Sequence, residues 1–465
     1  MRDRSDRWDV GHNDESMTAP HLVVVGAGPA GISAAIEANR HGARVTLIDE
    51  NSSIGGQYFR GRRHSTAAGS PREFHRLSTG VTLLRRAAVI DATDAALVVA
   101  GAGAGTRRIS YDGLVVATGA YDRPVALPGW TLPGVVTGGG AHTLAKAFGV
   151  VPGKRVVISG SGPFLPQLAT ALAHCGSQVV VYEATSFSTA LRTLAWLSAD
   201  FTVLRQAMRE LAGLAAAGVR IHYERIVTSI EGSDRVEGAV VHRVDEAWIP
   251  VSTGTSVAAD SVCLAFGFVP NLDLAHLLGC EILYEPLLSA YRVNTDAEMR
   301  TTRKRVYAAG ETVGIGGARL AASTGAVAGL TFARDVGLVA DSEYRERSKK
   351  LEQHVGRLRR LAGRLNYSYR PRDGLWSLAH PDTVICRCEE VNMREADQAL
   401  EFNSKTPAAL KAATRVGMGP CQGKICTPYL TEWLRARHGY RVPVAGWPWS
   451  GRPPIRPTRV ADLLA

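Results

Sequence analysis

Four of the chain's seven cysteines fall within 41 residues: Cys386-Arg387-Cys388, then, after 32 residues, Cys421-Gln422-Gly423-Lys424-Ile425-Cys426. Thiolates are soft ligands and redox groups, so a cluster of this kind points to metal or electron chemistry. Structural zinc sites usually take C-x2-C knuckles. Here the pairs are C-x-C and C-x4-C, and C-x-C converges on one metal only through an irregular turn. Four thiolates around two irons and two sulfides would satisfy the pattern. Zinc and unmetallated thiols stay open beside it. Cys175, Cys263 (in the apolar run SVCLAF) and Cys280 read as small buried hydrophobes. An odd cysteine count with no secretion-type apolar segment argues against a disulfide framework and for a reducing compartment.

A second set of residues could bind phosphate. Gly26-Ala27-Gly28-Pro29-Ala30-Gly31 follows the apolar run HLVVV and opens the helix pattern ISAAIEANRHG. Gly26 permits the tight turn, Gly28 lets backbone approach a pyrophosphate, and Gly31 lets helix and strand pack closely. The helix start offers amides and partial positive charge to the phosphates. An acid closing the next strand, RVTLID, should hold the ribose. Asp49 and Glu50 both qualify, and strand alternation favours Asp49.

The pattern repeats at RVVISGSGPFLPQLATALAHCGSQVVVYE. Gly160 and Gly162 keep the first two glycine positions, Leu165 replaces the third, and Glu183 stands at the ribose position. No Arg follows it, so NAD or another adenine nucleotide is preferred over NADP. A hydride-donating nicotinamide, a bound non-redox nucleotide and a purely structural unit all stay open here.

These motifs need parallel strands with crossover helices to carry them. Further strands are expected at DGLVVAT, in the alternating stretch Gly218–Val269 and at VYAAGE. A small-residue helix should follow from Arg319. Leu351, Val355, Leu358, Leu361 and Leu365 form one helical stripe, read as a docked linker helix with a solvated basic face and, as the alternative, as a membrane-surface helix.

The composition, 45% hydrophobic and 21% charged, excludes disordered, collagen-like and coiled-coil classes. The net charge is +11, and nine of those charges fall from Asp341 onward. No basic run is interleaved with aromatics, so nucleic-acid binding is not expected. No 20-residue apolar span is present. The first 18 residues read as a disordered extension, with Met17 as an alternative start. The cytoplasm is the expected location, with peripheral attachment to the inner face of the membrane as the alternative.

Three further segments carry a resemblance: Gly55-Gly56-Gln57, Ala117-Thr118-Gly119 and Ala309-Gly310-Glu311. With the first glycine loop they resemble the two-dinucleotide-domain flavoprotein superfamily. That resemblance implies FAD held by Gly26, Gly28, Pro29, Ala30, Gly31, Asp49 or Glu50, Gly56, Gln57, Thr118, Gly119, Gly310 and Glu311. Glu311 would meet the ribityl or phosphate region, and the following helix would aim its N-terminus at the flavin ring. No CxxC or CxxxxC pair precedes residue 386, so thioredoxin- or glutathione-reductase chemistry is not expected.

The segment CRCEEV…TRVGMGPCQGKIC resembles the ferredoxin-like domain of bacterioferritin-associated ferredoxin, which implies a [2Fe–2S] cluster on Cys386, Cys388, Cys421 and Cys426. Arg387, Arg415 and Lys424 flank these positions, where positive charge would raise the cluster's potential. In this order the motifs resemble the larger FAD-containing subunit of bacterial heteromeric amine and amino-acid dehydrogenases, such as opine oxidases, hydrogen cyanide synthase and proline or hydroxyproline dehydrogenases.

The fold so implied is α/β: two Rossmann-type domains of the flavoprotein disulfide-reductase-like superfamily plus a small helical [2Fe–2S] domain. The expected boundaries are 1–19 for the extension and 20–122 with 286–340 for the FAD domain. They continue with 123–285 for the second domain, 341–375 for the linker helix and 376–465 for the cluster domain. The resemblance also implies an amino-acid-oxidase-like flavoprotein partner that oxidises the C–N bond, with room for FMN at its interface and for a small ferredoxin-like subunit. An acidic partner or acceptor would suit the basic C-terminal quarter. A self-contained NAD(P)H-dependent reductase and a non-enzymatic scaffold are the competing readings.

Overall fold

The computed structural model describes residues 19–61, 65, 67–101, 105–198, 201–401, 404–449 and 451–463; the N-terminal extension and Met17 lie outside them. The first unit is built on a five-stranded parallel sheet. Its strand order is Val306–Ala308, Gly113–Val116, His21–Val25, Arg44–Asp49, Thr82–Arg85. The central strand His21–Val25 is buried along its whole length, as a parallel strand covered on both faces must be. Helices Pro29–Arg40 and Gly317–Asp335 cover one face. They pack unusually close. A Cβ on Gly325 would sit 2.0 Å from the Ala30 carbonyl oxygen, and one on Gly329 2.4 Å from that of Ala34. The small-residue run in the second helix is therefore a contact surface.

The other face carries a three-stranded antiparallel sheet, Ala87–Ala92, Ala96–Gly101 and Gly105–Ser110. The motif-based reading leaves this sheet unassigned. Val89, Leu97 and Val99 share a core with Val23, Val25, Leu114 and Val116.

The second unit repeats the plan. Its parallel sheet runs Arg220–Tyr223, Gln178–Glu183, Arg155–Gly160, Ser261–Ala265, Val135–Thr137. An antiparallel ribbon, Ala120–Asp122 with Phe268–Pro270, joins the two units. Arg123 lies at this crossing, 2% exposed. Its guanidinium donates to the carbonyls of Phe268, Leu288 and Ser289, so one side chain grips the outgoing and returning connections. The Trp376 ring lies over it at 5.9 Å.

Burial pulls the guanidinium pKa down to about 10. Arg123→Ala would leave these carbonyls without their donor, at a cost of roughly 2–4 kcal/mol. A fall of about 2–4 °C in the tryptophan-fluorescence melting midpoint is expected; an unchanged midpoint would mean that the crossing is held by other contacts.

The helix Asp341–Tyr369 spans 29 residues and crosses from one unit to the other. Arg347 pairs with Glu37 at 2.7 Å, and Val355 enters the first unit's core. Further along, Arg364 lies over the Trp196 ring of the second unit. The expected leucine stripe is docked: Leu351, Leu358, Leu361 and Leu365 are half-buried and Val355 is buried.

The cysteine module follows. Trp376, Tyr429, Leu430 and Trp433 form one core with Val125, Leu127, Trp130 and Trp248 of the second unit. Each buried aromatic removes about 150–250 Å² from water, or roughly 4–6 kcal/mol. That apolar seam outweighs the exposed ion pairs at the junction, worth about 0–1 kcal/mol each. After the helix Thr427–His438, the chain leaves the module and returns to the first unit. There the Ile455 amide donates to the Ile90 carbonyl. No helix among the described residues is long and apolar enough to cross a membrane.

Candidate functional site

The loops that follow adjacent parallel strands of the first sheet meet at its C-terminal edge. Gly26–Gly31, Asp49, Thr118–Gly119 and Gly310–Glu311 all lie there, where open α/β sheets bind ligands. Gly26 has φ +103°, and a Cβ on it would lie 2.3 Å from the Ala117 oxygen. A Cβ on Gly31 would lie 1.8 Å from the Gly26 oxygen. Gly28 differs: its nearest neighbour in that direction is the Gly56 Cα at 3.9 Å. The two glycines pack backbone to backbone, a Cβ on Gly56 lying 2.9 Å from the Gly28 Cα, so no side chain stands over the turn from that side.

Pro29 starts the helix, which has no side-chain cap and no acid in its first turn. Its N-terminal amides and dipole are thus uncompensated.

Asp49 is buried and accepts the Ala27 amide at 2.6 Å and the Asn51 amide at 2.8 Å. Glu50 is turned away, exposed, and paired with Arg456 at 3.1 Å. Of the two acids, only Asp49 belongs to the loop. Gln57 points toward the second unit and accepts from the Thr143 hydroxyl at 3.2 Å. The Gly119 amide donates to Thr312 Oγ1 at 3.1 Å, and Thr118 Oγ1 donates to the Asn271 carbonyl at 3.0 Å.

Glu311 accepts the Gly317 amide, and burial pushes its carboxyl pKa up. The helix it caps starts at Gly317, two residues before the Arg319 expected from sequence. Asn271 carries a buried Oδ1 with no partner beside these loops. An open glycine cradle, an uncapped helix start and an orphaned buried amide oxygen together fit a pyrophosphate-bearing flavin. Asn271 lies in the segment FGFVPN but drew no role from sequence; nothing local marks it, because its neighbours are more than 150 positions away.

The second glycine loop has the same skeleton and a different surround. A Cβ on Gly160 would meet the Ala265 oxygen at 2.2 Å, as Gly26 meets Ala117. Leu165 cannot pack as Gly31 does; it is buried among Ile158, Leu168 and Ala169, and the helix starts after Pro163, at Phe164. Glu183 accepts the Gly162 amide at 2.9 Å and the Thr185 amide at 2.9 Å. Burial pushes its pKa up to about 7. Gly162 lies against the Tyr369 side chain.

The cysteines converge in two pairs. The Cys386 thiol neighbours that of Cys426, and the Cys388 thiol that of Cys421. The Cys386 thiol, hydrogen-bonded by Cys426 and then by the amides of Gly417, Glu389 and Cys388, is pulled down to about 5. Among the described residues no three His, Cys, Asp or Glu side chains close on one ion position. Two thiol pairs suit a two-iron cluster better than a single tetrahedral ion.

The loops around the cysteines turn irregularly: Glu390, Arg415, Gly417, Gln422 and Gly423 all have positive φ. Two of the three flanking cations are paired nearby, Arg415 with Glu389 and Lys424 with Asp273, each at 3.0 Å. Arg387 lies over the Trp130 ring. The positive charge expected around the cluster is thus partly neutralised. Cys263 and Cys280 are buried with thiol pKa values pushed up, and Cys175 is half-buried.

The two sites are bolted together. Asp273 takes both Lys424 of the cysteine loop and Arg456 of the returning tail, and Arg456 also holds Glu50 beside Asp49. The half-buried Tyr121, two residues past Gly119, has its phenol pKa pushed up by desolvation and then by Asp273.

Two Rossmann-type units, one with an open cradle, and a fused four-cysteine module define an oxidoreductase of the two-dinucleotide-domain flavoprotein class. Residues 20–326 match the pyridine nucleotide-disulphide oxidoreductase family, and the chain belongs to it. Residues 384–436 match the BFD-like [2Fe-2S] binding domain. Together the two matches imply FAD and a [2Fe–2S] cluster. The chain is 32% identical to an opine oxidase subunit of Rhizobium meliloti, over 95% of this chain and 86% of that protein. It is 31% identical to the HcnB subunit of hydrogen cyanide synthase from Pseudomonas protegens, over 93% of this chain and 97% of that protein. Among solved structures, L-proline dehydrogenase from P. horikoshii shares the fold. Its TM-score is 0.68 at 20% identity, covering 96% of this chain and 79% of that one.

Proposed function

We propose that this chain is the FAD- and [2Fe–2S]-bearing electron-transfer subunit of a heteromeric dehydrogenase that oxidises the C–N bond of an amine or amino acid. An amino-acid-oxidase-like partner would hold the substrate. Bound FAD supplies two-electron chemistry and the cluster one-electron chemistry. This chain's residues set position and environment. Gly26, Gly28 and Gly31 with the following amides hold the pyrophosphate, Asp49 the ribose and Glu311 the ribityl region, while Cys386, Cys388, Cys421 and Cys426 hold the irons.

The observation that carries the reading is the chain of ion pairs that runs from the cysteine loop to the residue beside Asp49, through Lys424, Asp273, Arg456 and Glu50. The relatives named as subunits of opine oxidase and hydrogen cyanide synthase support it. The first cysteine in the chain is Cys175, so no CxxC pair adjoins Gln57 for dithiol chemistry.

The test is spectroscopic. The chain is purified alone and with its co-encoded neighbour, then mixed with proline, sarcosine, an opine, NADH or NADPH. Flavin bleaching by an amine, only in the complex, is the expected result. Bleaching by NADH or NADPH with the chain alone would overturn the proposal in favour of a self-contained reductase.

A further inference from the structure

The second glycine loop has the strand, turn, helix and acid of a dinucleotide site, so the question is what stands where the pyrophosphate would lie. The acids do not distinguish the two units. Asp49 and Glu183 each brace their loop through a backbone amide, Ala27 at 2.6 Å and Gly162 at 2.9 Å. The neighbour of the middle glycine does: it is the backbone of another glycine in the first unit and an aromatic side chain in the second, each at ordinary contact distance. Over Gly28 only the Gly56 Cα comes within 4 Å. Over Gly162 a Cβ would meet Tyr369 Cβ and Cγ at 3.7 Å and Cδ1 at 3.9 Å. Of these atoms the Cβ is fixed by the helix backbone, while Cγ and Cδ1 stand where the χ1 rotamer of this structure places them.

Tyr369 is the last residue of the helix Asp341–Tyr369. Its place is set from a distance: Val355 is fixed in the first unit's core, and Asn366 Nδ2 donates to the Ile315 carbonyl at 2.9 Å.

We infer that Tyr369 is a specificity-determining residue that closes the second Rossmann unit to dinucleotides, so that the unit serves as the seat of the chain's own helix. A pyrophosphate needs direct approach to the backbone at Gly162, and that approach is filled. The consequence for electron flow rests on the function proposed above: flavin in this chain would draw on its partner and not on the nicotinamide pool. The exclusion itself does not depend on that reading.

The test measures binding, not turnover. ADP-ribose is titrated calorimetrically into the flavin-loaded protein, whose first cradle is already filled. Wild type and Tyr369→Phe are expected to show no saturable binding, because phenylalanine fills the same space. Tyr369→Gly and the milder Tyr369→Ser are expected to gain affinity by at least about tenfold, bringing binding into the measurable range. Saturable binding of ADP-ribose to wild type overturns the inference. So does a folded, flavin-loaded Tyr369→Gly or Tyr369→Ser protein that gains none. Should the glycine variant fail to fold, the wild-type and serine titrations still decide the matter. Failure here leaves the amine-driven bleaching test untouched.

Discussion

Gly31→Ala is expected to purify as a folded chain that has lost its flavin. The added Cβ would lie 1.8 Å from the Gly26 oxygen, 3.0 Å from its carbonyl carbon and 3.2 Å from Val24 Cγ1. The first two obstacles are backbone and cannot swing aside. The helix Pro29–Arg40 must retreat from the strand, carrying the Gly28 turn and the uncapped amides with it. A displacement of about 1 Å in a preorganised site removes most of its directed interactions.

An affinity loss on the order of 100-fold, about 3 kcal/mol, follows. The fold should survive, because the second unit already carries Leu165 at this position with its helix start moved by one residue. The flavin-to-protein absorbance ratio and far-ultraviolet circular dichroism check both halves. A full flavin complement would show that the cradle at Gly28 is not where the pyrophosphate is held.

Cys426→Ala should remove the cluster and spare the flavin. Cys426 is 1% exposed and its thiol neighbours that of Cys386. No other cysteine can substitute, since Cys175, Cys263 and Cys280 lie in other parts of the fold. Iron and acid-labile sulfide are expected at background, with flavin retained. Loss of the metal should also loosen the module. Arg415 and Gln422 hold left-handed conformations, at roughly 1–2 kcal/mol each, and ligand bonds would offset that strain. Cys263→Ala is the control: that side chain packs against Ile158 and Leu168, and its variant should keep full iron. Retained iron in Cys426→Ala would remove Cys426 from the ligand set.

The parts of this molecule that could be read from sequence are those whose physical cause is local. A glycine loop between a buried strand and a helix carries its whole reason within about ten residues, and both loops stand where their spacing places them. The C-x-C pair announces an irregular turn because no regular one serves it. Arg123 was silent. It lies in a proline-rich stretch, and its carbonyl partners are about 145–166 positions away. Tyr369 was equally silent, since its meaning depends on the length of the helix that carries it and on a loop some 200 residues earlier. The tie between Arg456 and Glu50 spans 406 positions. Asp49 and Glu50 show the boundary well. Alternation favoured the first, and only the distant Arg456 explains what the second does.

The strand Val306–Ala308 completes a sheet that begins at His21, and the tail around Ile455 closes over the same unit. In synthesis from the N-terminus, the first unit is therefore the last to be finished. Its opening strands must wait through some 190 residues of intervening chain, whereas the strands of the inserted unit's parallel sheet lie between Val135 and Ala265. Contacts of such sequence separation form slowly and leave apolar strands exposed in the interval. Flavin cannot meet Glu311 before that residue has left the ribosome. The inserted unit thus acts during biogenesis as an early-folding platform. A flavin-starved cell would be expected to accumulate a form in which residues 20–122 are cut by proteases while the inserted unit resists them.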